Sequence, residues 1–271
     1  MIIPKPIIPK EHGSWAVLLV PLVVGANVSG IASPSFVFLS FSVIATFLAY
    51  LPIEMVLRSK LGISSGSEEH QAARFWSIAY LSAGLLFVLP LLLEGYWALA
   101  AIGVLAAISF LVRFFLGIGR TRNVGSDLVA VAGLTLTAPS AYYVLTKTLD
   151  GHAITLWLLN FLFFGSGVVY VHMKMKAKAM GKIRLGWLER ISIGKLNLIY
   201  HVVVVAAVLV LASLHLTQTA AILAFVPMII HAVLGTVRLS QNVRFKTLGF
   251  LLLAQSIVFA ICLTLTAGGR G

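Results

Sequence analysis

Nine nearly uninterrupted apolar stretches, each about as long as a bilayer-crossing helix, recur along this chain of 271 residues. A hydrocarbon core of roughly 30 Å takes about 20 residues at helical rise. The stretches fall at 14–33, 35–56, 75–93, 96–116, 124–146, 153–173, 197–214, 218–237 and 247–267. They are apolar throughout and lack the alternation that lumen-facing positions impose on a membrane barrel, so they predict helices. With 60% hydrophobic and only 10% charged residues, the chain lacks the polar surface a soluble domain would need. The expected fold is all-α: a polytopic membrane protein of nine transmembrane helices, with residues 1–271 forming a single integral-membrane domain.

Threading those stretches through a bilayer sorts the charge. Lys147 and Arg270 fall on one side, and the other 18 of the 20 Lys and Arg residues fall on the opposite side. The positive-inside rule then predicts a multi-pass protein of the cell membrane, its N-terminus cytoplasmic and its C-terminus outside. It also accounts for the net charge of +12 without nucleic acid, which is not an expected partner. Membrane lipids with anionic heads are the partners such a face implies. Pro4, Pro6, Pro9, Lys5 and Lys10 precede a first stretch that ends without a small-residue cleavage signature, so that helix is expected to be retained. The single cysteine, Cys262, lies in the last stretch, which leaves no intramolecular disulfide and no cysteine-based metal site.

Two connections are long, roughly 57–74 and 174–196, and both fall on the cytoplasmic side, after helices 2 and 6. They are expected to cap the bundle as loops. Pro52 should kink or end the second helix. In the second connection Lys174, Lys178 and Lys182 recur every four residues, which gives one basic stripe if the helix continues.

Few acids are present, and their placement carries the candidate chemistry. Glu11 and His12 open the first span, Glu54 closes the second four residues before Arg58, and Asp127 lies in the first turn of the fifth. An acid at a helix N-terminus is favoured by the macrodipole. An acid–imidazole set at one membrane face can also position an acceptor or move a proton, so Glu11, His12, Glu54 and Asp127 are the candidate catalytic residues. Arg120 and Arg122, followed by Gly125 and a helix start, resemble an anion cradle. Together with Arg58, His172, Lys174 and Lys178 they form the expected substrate-binding set. His12, His172, His201 and His231 sit toward the same face, where imidazoles can ligate haem or carry protons. No metal-binding motif accompanies them, and no metal site is assigned. Asn27, Asn160 and Gln255 are expected to hydrogen bond between helices.

The opening Pro9-Lys-Glu-His-Gly-Ser-Trp-Ala-Val-Leu-Leu-Val-Pro21 resembles the start of the YwiC-like family of membrane proteins. The order of Pro52 to Lys60, Ala138 to Tyr143, Tyr170 to Lys174 and Lys246 to Gly249 is similar as well. A more distant likeness of plan is to the UbiA superfamily of intramembrane prenyltransferases: nine helices, an inside N-terminus and long inner connections after helices 2 and 6. That likeness implies a UbiA-like helical bundle with an isoprenoid diphosphate in a central cavity, and Mg²⁺ held by aspartate-rich motifs on those two connections. The corresponding positions here read Leu51-Pro-Ile-Glu-Met-Val-Leu-Arg58 and Tyr170-Val-His-Met-Lys-Met-Lys176, without an aspartate. Carboxylates are what hold Mg²⁺ on a diphosphate, so basic side chains would have to meet the charge instead.

The expected function is therefore binding of an isoprenoid or other anionic-headed lipid at the cytoplasmic face, extending to prenyl transfer as a transferase without the usual metal motifs. The alternative is a non-enzymatic binder or transporter of a lipid, quinone or haem, or a respiratory assembly factor.

Overall fold

A computed structural model describes residues 4–10, 12–63, 67–118, 123–181, 185–239 and 244–267, without the side chains of His12, Ser67 and Glu68. Among the described residues every regular element is helical. They are α1 (His12–Ser29), α2 (Ser35–Lys60), α3 (Ser67–Leu93), α4 (Ala98–Gly117), α5 (Val124–Leu134), α6 (Thr137–Thr146), α7 (Gly151–Ala179), α8 (Trp187–Ser213), a 3-10 segment Thr219–Ala224, α9 (Val226–Val237) and α10 (Phe245–Ala267).

Among the described residues seven segments are long and apolar enough to cross a membrane: α2, α3, α4, α5 with α6, α7, α8 and α10. Gly13–Ser29 and Val226–Val237 are shorter apolar helices. The chain is thus a multi-pass membrane protein. Apolar side chains turned outward along it, such as Leu86, Leu93, Val202 and Leu265, suit contact with lipid.

The two connections expected as long loops are mostly helix. α2 runs through Pro52 to Lys60 and α3 begins at Ser67, while α7 continues to Ala179 and α8 begins at Trp187. The polar residues there extend the helices past the apolar runs and do not stop them. Gly62 and Gly181, at φ of 69° and 63°, sit just beyond α2 and α7, where a left-handed residue ends a helix at least cost.

The fifth apolar stretch is broken in two at Thr135 and Leu136. The ring of Pro139 removes one N–H and crowds the carbonyl four residues back, that of Thr135. Neighbours take up the released carbonyls. Ala132 O accepts from Trp157 Nε1 at 3.0 Å and lies 3.2 Å from Thr135 Oγ1. Thr135 O accepts from Ala138 N at 3.1 Å, and Thr137 Oγ1 lies 3.1 Å from Leu134 O and 2.9 Å from Leu18 O on α1. In a bilayer such side-chain repair is what makes a mid-span break tolerable.

The chain divides into two compact units. The first comprises residues up to Glu11 and Ala32–Leu105, built on the long α2–α3 pair. There the Ser42 hydroxyl donates to Gly84 O at 2.9 Å, and the Trp76 indole donates to Pro4 O at 3.2 Å. The second comprises His12–Ile31 and Ala106–Gly271. Its core is aromatic: Phe163 stacks on Phe259 with centroids 4.0 Å apart, and Phe225 meets both rings edge-on. Phe225 and Phe259 are fully buried. The interior of this unit at the level of Phe163 is therefore filled by side chains.

Candidate functional site

Glu54 and Arg58 belong to the first unit, and the other described candidates belong to the second. One turn apart on α2, the Arg58 guanidinium donates from Nε and Nη2 to Glu54 Oε1 at 3.0 and 2.8 Å. A pair of this spacing adds about 0.3–0.5 kcal/mol to a helix when exposed. The carboxylate retains only 15% of its side-chain accessibility, so the guanidinium also compensates for partial burial.

In the second unit, α5 and α7 run antiparallel, and at one end their side chains meet. Asn123 caps α5, its Oδ1 accepting from Ser126 N at 2.8 Å. That cap takes one of the amides that the sequence offered to an anion. In this first turn Asp127 Oδ2 lies 2.8 Å from His172 Nε2, both side chains being about 13–14% accessible. Both the sequence-predicted acid and the sequence-predicted imidazole are present, and the fold joins them across 45 residues of chain. Removing the carboxylate leaves the imidazole Nε2 without its acceptor. Asp127→Leu is expected to lower stability by about 1–3 kcal/mol, whereas Asp127→Asn, which keeps an acceptor for the imidazole, costs less than half as much. Thermal melting of the purified variants in detergent checks the difference.

Lys174, two residues further along α7, donates to Gly235 O at 3.2 Å and stands 5.3 Å from the Tyr170 ring centroid. Arg190 reaches the same helix end, with Nη1 donating to Val237 O at 2.9 Å. Two cations thus meet the last carbonyls of α9, where the macrodipole favours positive charge. Part of the basic stripe is therefore spent on holding helices together. Lys178, on the next turn of α7, is exposed and lies 5.3 Å from the Phe245 ring centroid. Glu11, Arg120, Arg122 and Lys182 lie outside the described residues. His12 opens α1, and its side chain is not described.

A buried polar layer lies deeper, and the sequence pointed to it only partly. His201 Nδ1 is 2.7 Å from Asn197 O, its own helix carbonyl, and Nε2 is 2.7 Å from Ser166 Oγ on α7. A carbonyl only accepts, so Nδ1 carries the proton and Nε2 accepts from the Ser166 hydroxyl. Asn197 Nδ2 donates to Ala232 O and Thr236 Oγ1 on α9 at 3.2 and 3.0 Å. The His231 ring lies 4.5 Å from that of Tyr170, and its Nδ1 is 3.3 Å from Gln255 Oε1. Gln255 also donates to Pro227 O at 3.3 Å, so it joins helices as expected. Asn160 does not: its amide bonds Leu156 O within α7, and its Oδ1 has no hydrogen-bond partner. Ser166, Asn197 and Thr236 carried no signal beyond being polar residues within apolar stretches.

These geometries bear on cofactors. His201 has both ring nitrogens engaged, so haem ligation there would first require breaking a bond, and the Nε2 of His172 is held by a carboxylate. The residues present do not fit an aspartate-held Mg²⁺. Glu54 is the only carboxylate at the first position and is held by Arg58, and at the second α7 presents His172 and Lys174. Among the described residues no three His, Cys, Asp or Glu side chains gather as metal ligands would.

Compared with known proteins, the chain matches the family model described as YwiC-like protein over residues 8–142. No curated protein and no solved structure matches it.

Proposed function

We propose that this chain, which belongs to the YwiC-like protein family through residues 8–142, binds the anionic head of an isoprenoid or other lipid where α7 leaves the membrane. The observation that carries this reading is the pair Lys174 and Lys178, one turn apart on α7, with His172 half a turn before Lys174 and bonded to Asp127. All nine apolar stretches cross the bilayer in this reading. α1, at 18 residues, extends about 27 Å. The 3-10 segment and α9 together reach roughly 30 Å, which matches the hydrocarbon thickness. Nine crossings place the lysine end of α7 on the same side as the N-terminus, and the charge bias makes that side cytoplasmic.

The head group meets Lys178 and the donors of Lys174 that Gly235 leaves over, with Arg120 and Arg122 from the connection ahead of α5. The Asp127–His172 pair is the group that accepts or returns a proton there. The lipid tail stays in the bilayer, because the aromatic core of the second unit leaves no room for it at the level of Phe163. With no carboxylate set suited to Mg²⁺ among the described residues, the function proposed is binding rather than prenyl transfer.

Lysines at a membrane surface contribute about 1 kcal/mol each toward anionic lipid. The double variant Lys174→Met, Lys178→Met should therefore weaken retention of co-purified anionic lipid roughly tenfold or more, read by lipid mass spectrometry. Retention equal to wild type in a variant of unchanged melting temperature would remove the assignment.

A further inference from the structure

The lysine end of α7 is not the only place where polar groups converge in the second unit. At the other end of the same helix a cavity of about 260 Å³ opens among α1, α6, α7, the segment ahead of the 3-10 turn, and α10. Its floor is apolar, formed by Leu156 and Leu159 on consecutive inward positions of α7. Its polar wall is assembled from separate elements: Ser29 from α1, Tyr142 from α6, His152 and Thr155 from α7, and Thr217 with Gln218. From Thr155 to Lys174 is 19 residues of helix, or about 28 Å at 1.5 Å per residue. The two places therefore lie a membrane thickness apart.

The lining says what would be accepted. It contains no Lys, Arg, Asp or Glu, and His152 is its one imidazole, so little there would offset the desolvation of a charged ligand. The Ser29 hydroxyl lies 2.6 Å from Ala26 O and the Thr155 hydroxyl 2.7 Å from Gly151 O. Both protons are thus committed to backbone, and the oxygens present lone pairs. The Gln218 amide and the Tyr142 hydroxyl supply donors as well as acceptors. An apolar floor with a few convergent polar groups is the form small-molecule sites take, and at about 260 Å³ this one lies just below their usual range of about 300–1,000 Å³.

We infer that this cavity is a second binding site, one that takes an uncharged amphiphile with a single-ring-sized head bearing a hydroxyl, the hydroxyl directed at Ser29 and Thr155 and the ring resting on Leu156 and Leu159. The site is independent of the lipid-head reading, since it shares no residue with the lysine end.

The probe is para-fluorophenol, added to the full chain in lipid nanodiscs and observed by fluorine NMR, with empty nanodiscs as the blank for partitioning into lipid. Broadening beyond the blank is expected. It should fall roughly tenfold in Thr155→Phe, which fills the cavity, and several-fold in Gln218→Leu, whose side chain is exposed and whose replacement leaves the core untouched. The anion para-fluorobenzoate should show no broadening beyond the blank. If para-fluorophenol broadens no more than the blank, if it broadens equally in Gln218→Leu and in a folded Thr155→Phe, or if the benzoate binds as well as the phenol, the inference is overturned. Loss of the lysine-end lipid in Lys174→Met, Lys178→Met should leave the phenol signal unchanged.

Discussion

Gly25→Ala should destabilise the protein by about 2–3 kcal/mol, the scale of a forced overpacking, although it adds a single methyl group. A Cβ at this position of α1 would run into the backbone carbonyl of Ala138 on α6, with Ala138 Cα also only 3.1 Å away. Backbone cannot rotate aside as a long side chain can. Thr137 Oγ1 fixes the same crossing through Leu18 O, so the two helices cannot part locally without giving up that bond. Glycine here serves close approach, which is how helices associate in lipid. Gly13 is the control: a Cβ there meets nothing within 4 Å. Gly13→Ala should be neutral or slightly stabilising, because alanine is the better helix former. Melting temperatures of both variants in one detergent test the contrast, and similar losses in the two would show that the α1–α6 contact is looser than described.

His201→Ala is expected to cost more, about 3–5 kcal/mol. The change removes a large buried side chain and leaves a cavity. It also strands the Ser166 hydroxyl, which donates to Nε2, while the Asn197 carbonyl loses its side-chain donor and keeps its helical N–H. Both side chains of the His201–Ser166 pair are nearly inaccessible, so water cannot replace either bond cheaply. Ser166→Ala removes a single donor and should cost about 1 kcal/mol. Adding Ser166→Ala to His201→Ala should then cost almost nothing more, because the hydroxyl has already lost its partner. A double-mutant cycle reports this as a coupling of about 0.5–3 kcal/mol. Additive losses would mean that the two side chains do not depend on one another.

Much of the architecture could be read from residue order. Every apolar stretch carries a helix, because in lipid a continuous apolar segment has only that way to satisfy its backbone. The break at Thr135 and Leu136 had a visible cause in Pro139, yet Pro21, Pro52 and Pro90 sit inside helices that continue. Proline alone therefore does not decide where a membrane helix ends; the neighbouring hydroxyls and indole that take up the freed carbonyls matter as much. The ends of α2 and α7 were misjudged for a different reason. Past the membrane boundary the residues turn polar while their helical propensity persists, and hydropathy marks the first change only.

The site was legible in kind but not in pairing. Asp127 and His172 stood out as polar groups beside apolar spans, and nothing in their order showed that α5 and α7 bring them to 2.8 Å. The charge of Lys174 is plain in the sequence, yet its bond to Gly235 O depends on α9 passing alongside. A Cβ at Gly235 would collide with the Tyr170 hydroxyl, so that approach rests on a glycine whose role the linear sequence does not reveal. The Ser166–His201 pair was missed as a pair for the same reason. Rotation of a helix about its own axis decides which residues face inward, and in a segment apolar on all sides no stripe records that rotation.

The central claim, an anionic lipid head at the lysine end of α7, is tested most directly by where such a lipid attaches. Wild-type protein in nanodiscs would be given a polyprenyl phosphate carrying a photoactivatable group beside the phosphate, irradiated, digested and mapped by mass spectrometry. Adducts are expected to concentrate on residues 170–180 and around the start of α5, and to be competed away by excess unlabelled polyprenyl phosphate. Adducts spread along the exposed faces of α3 and α4, undiminished by that competitor, would contradict it.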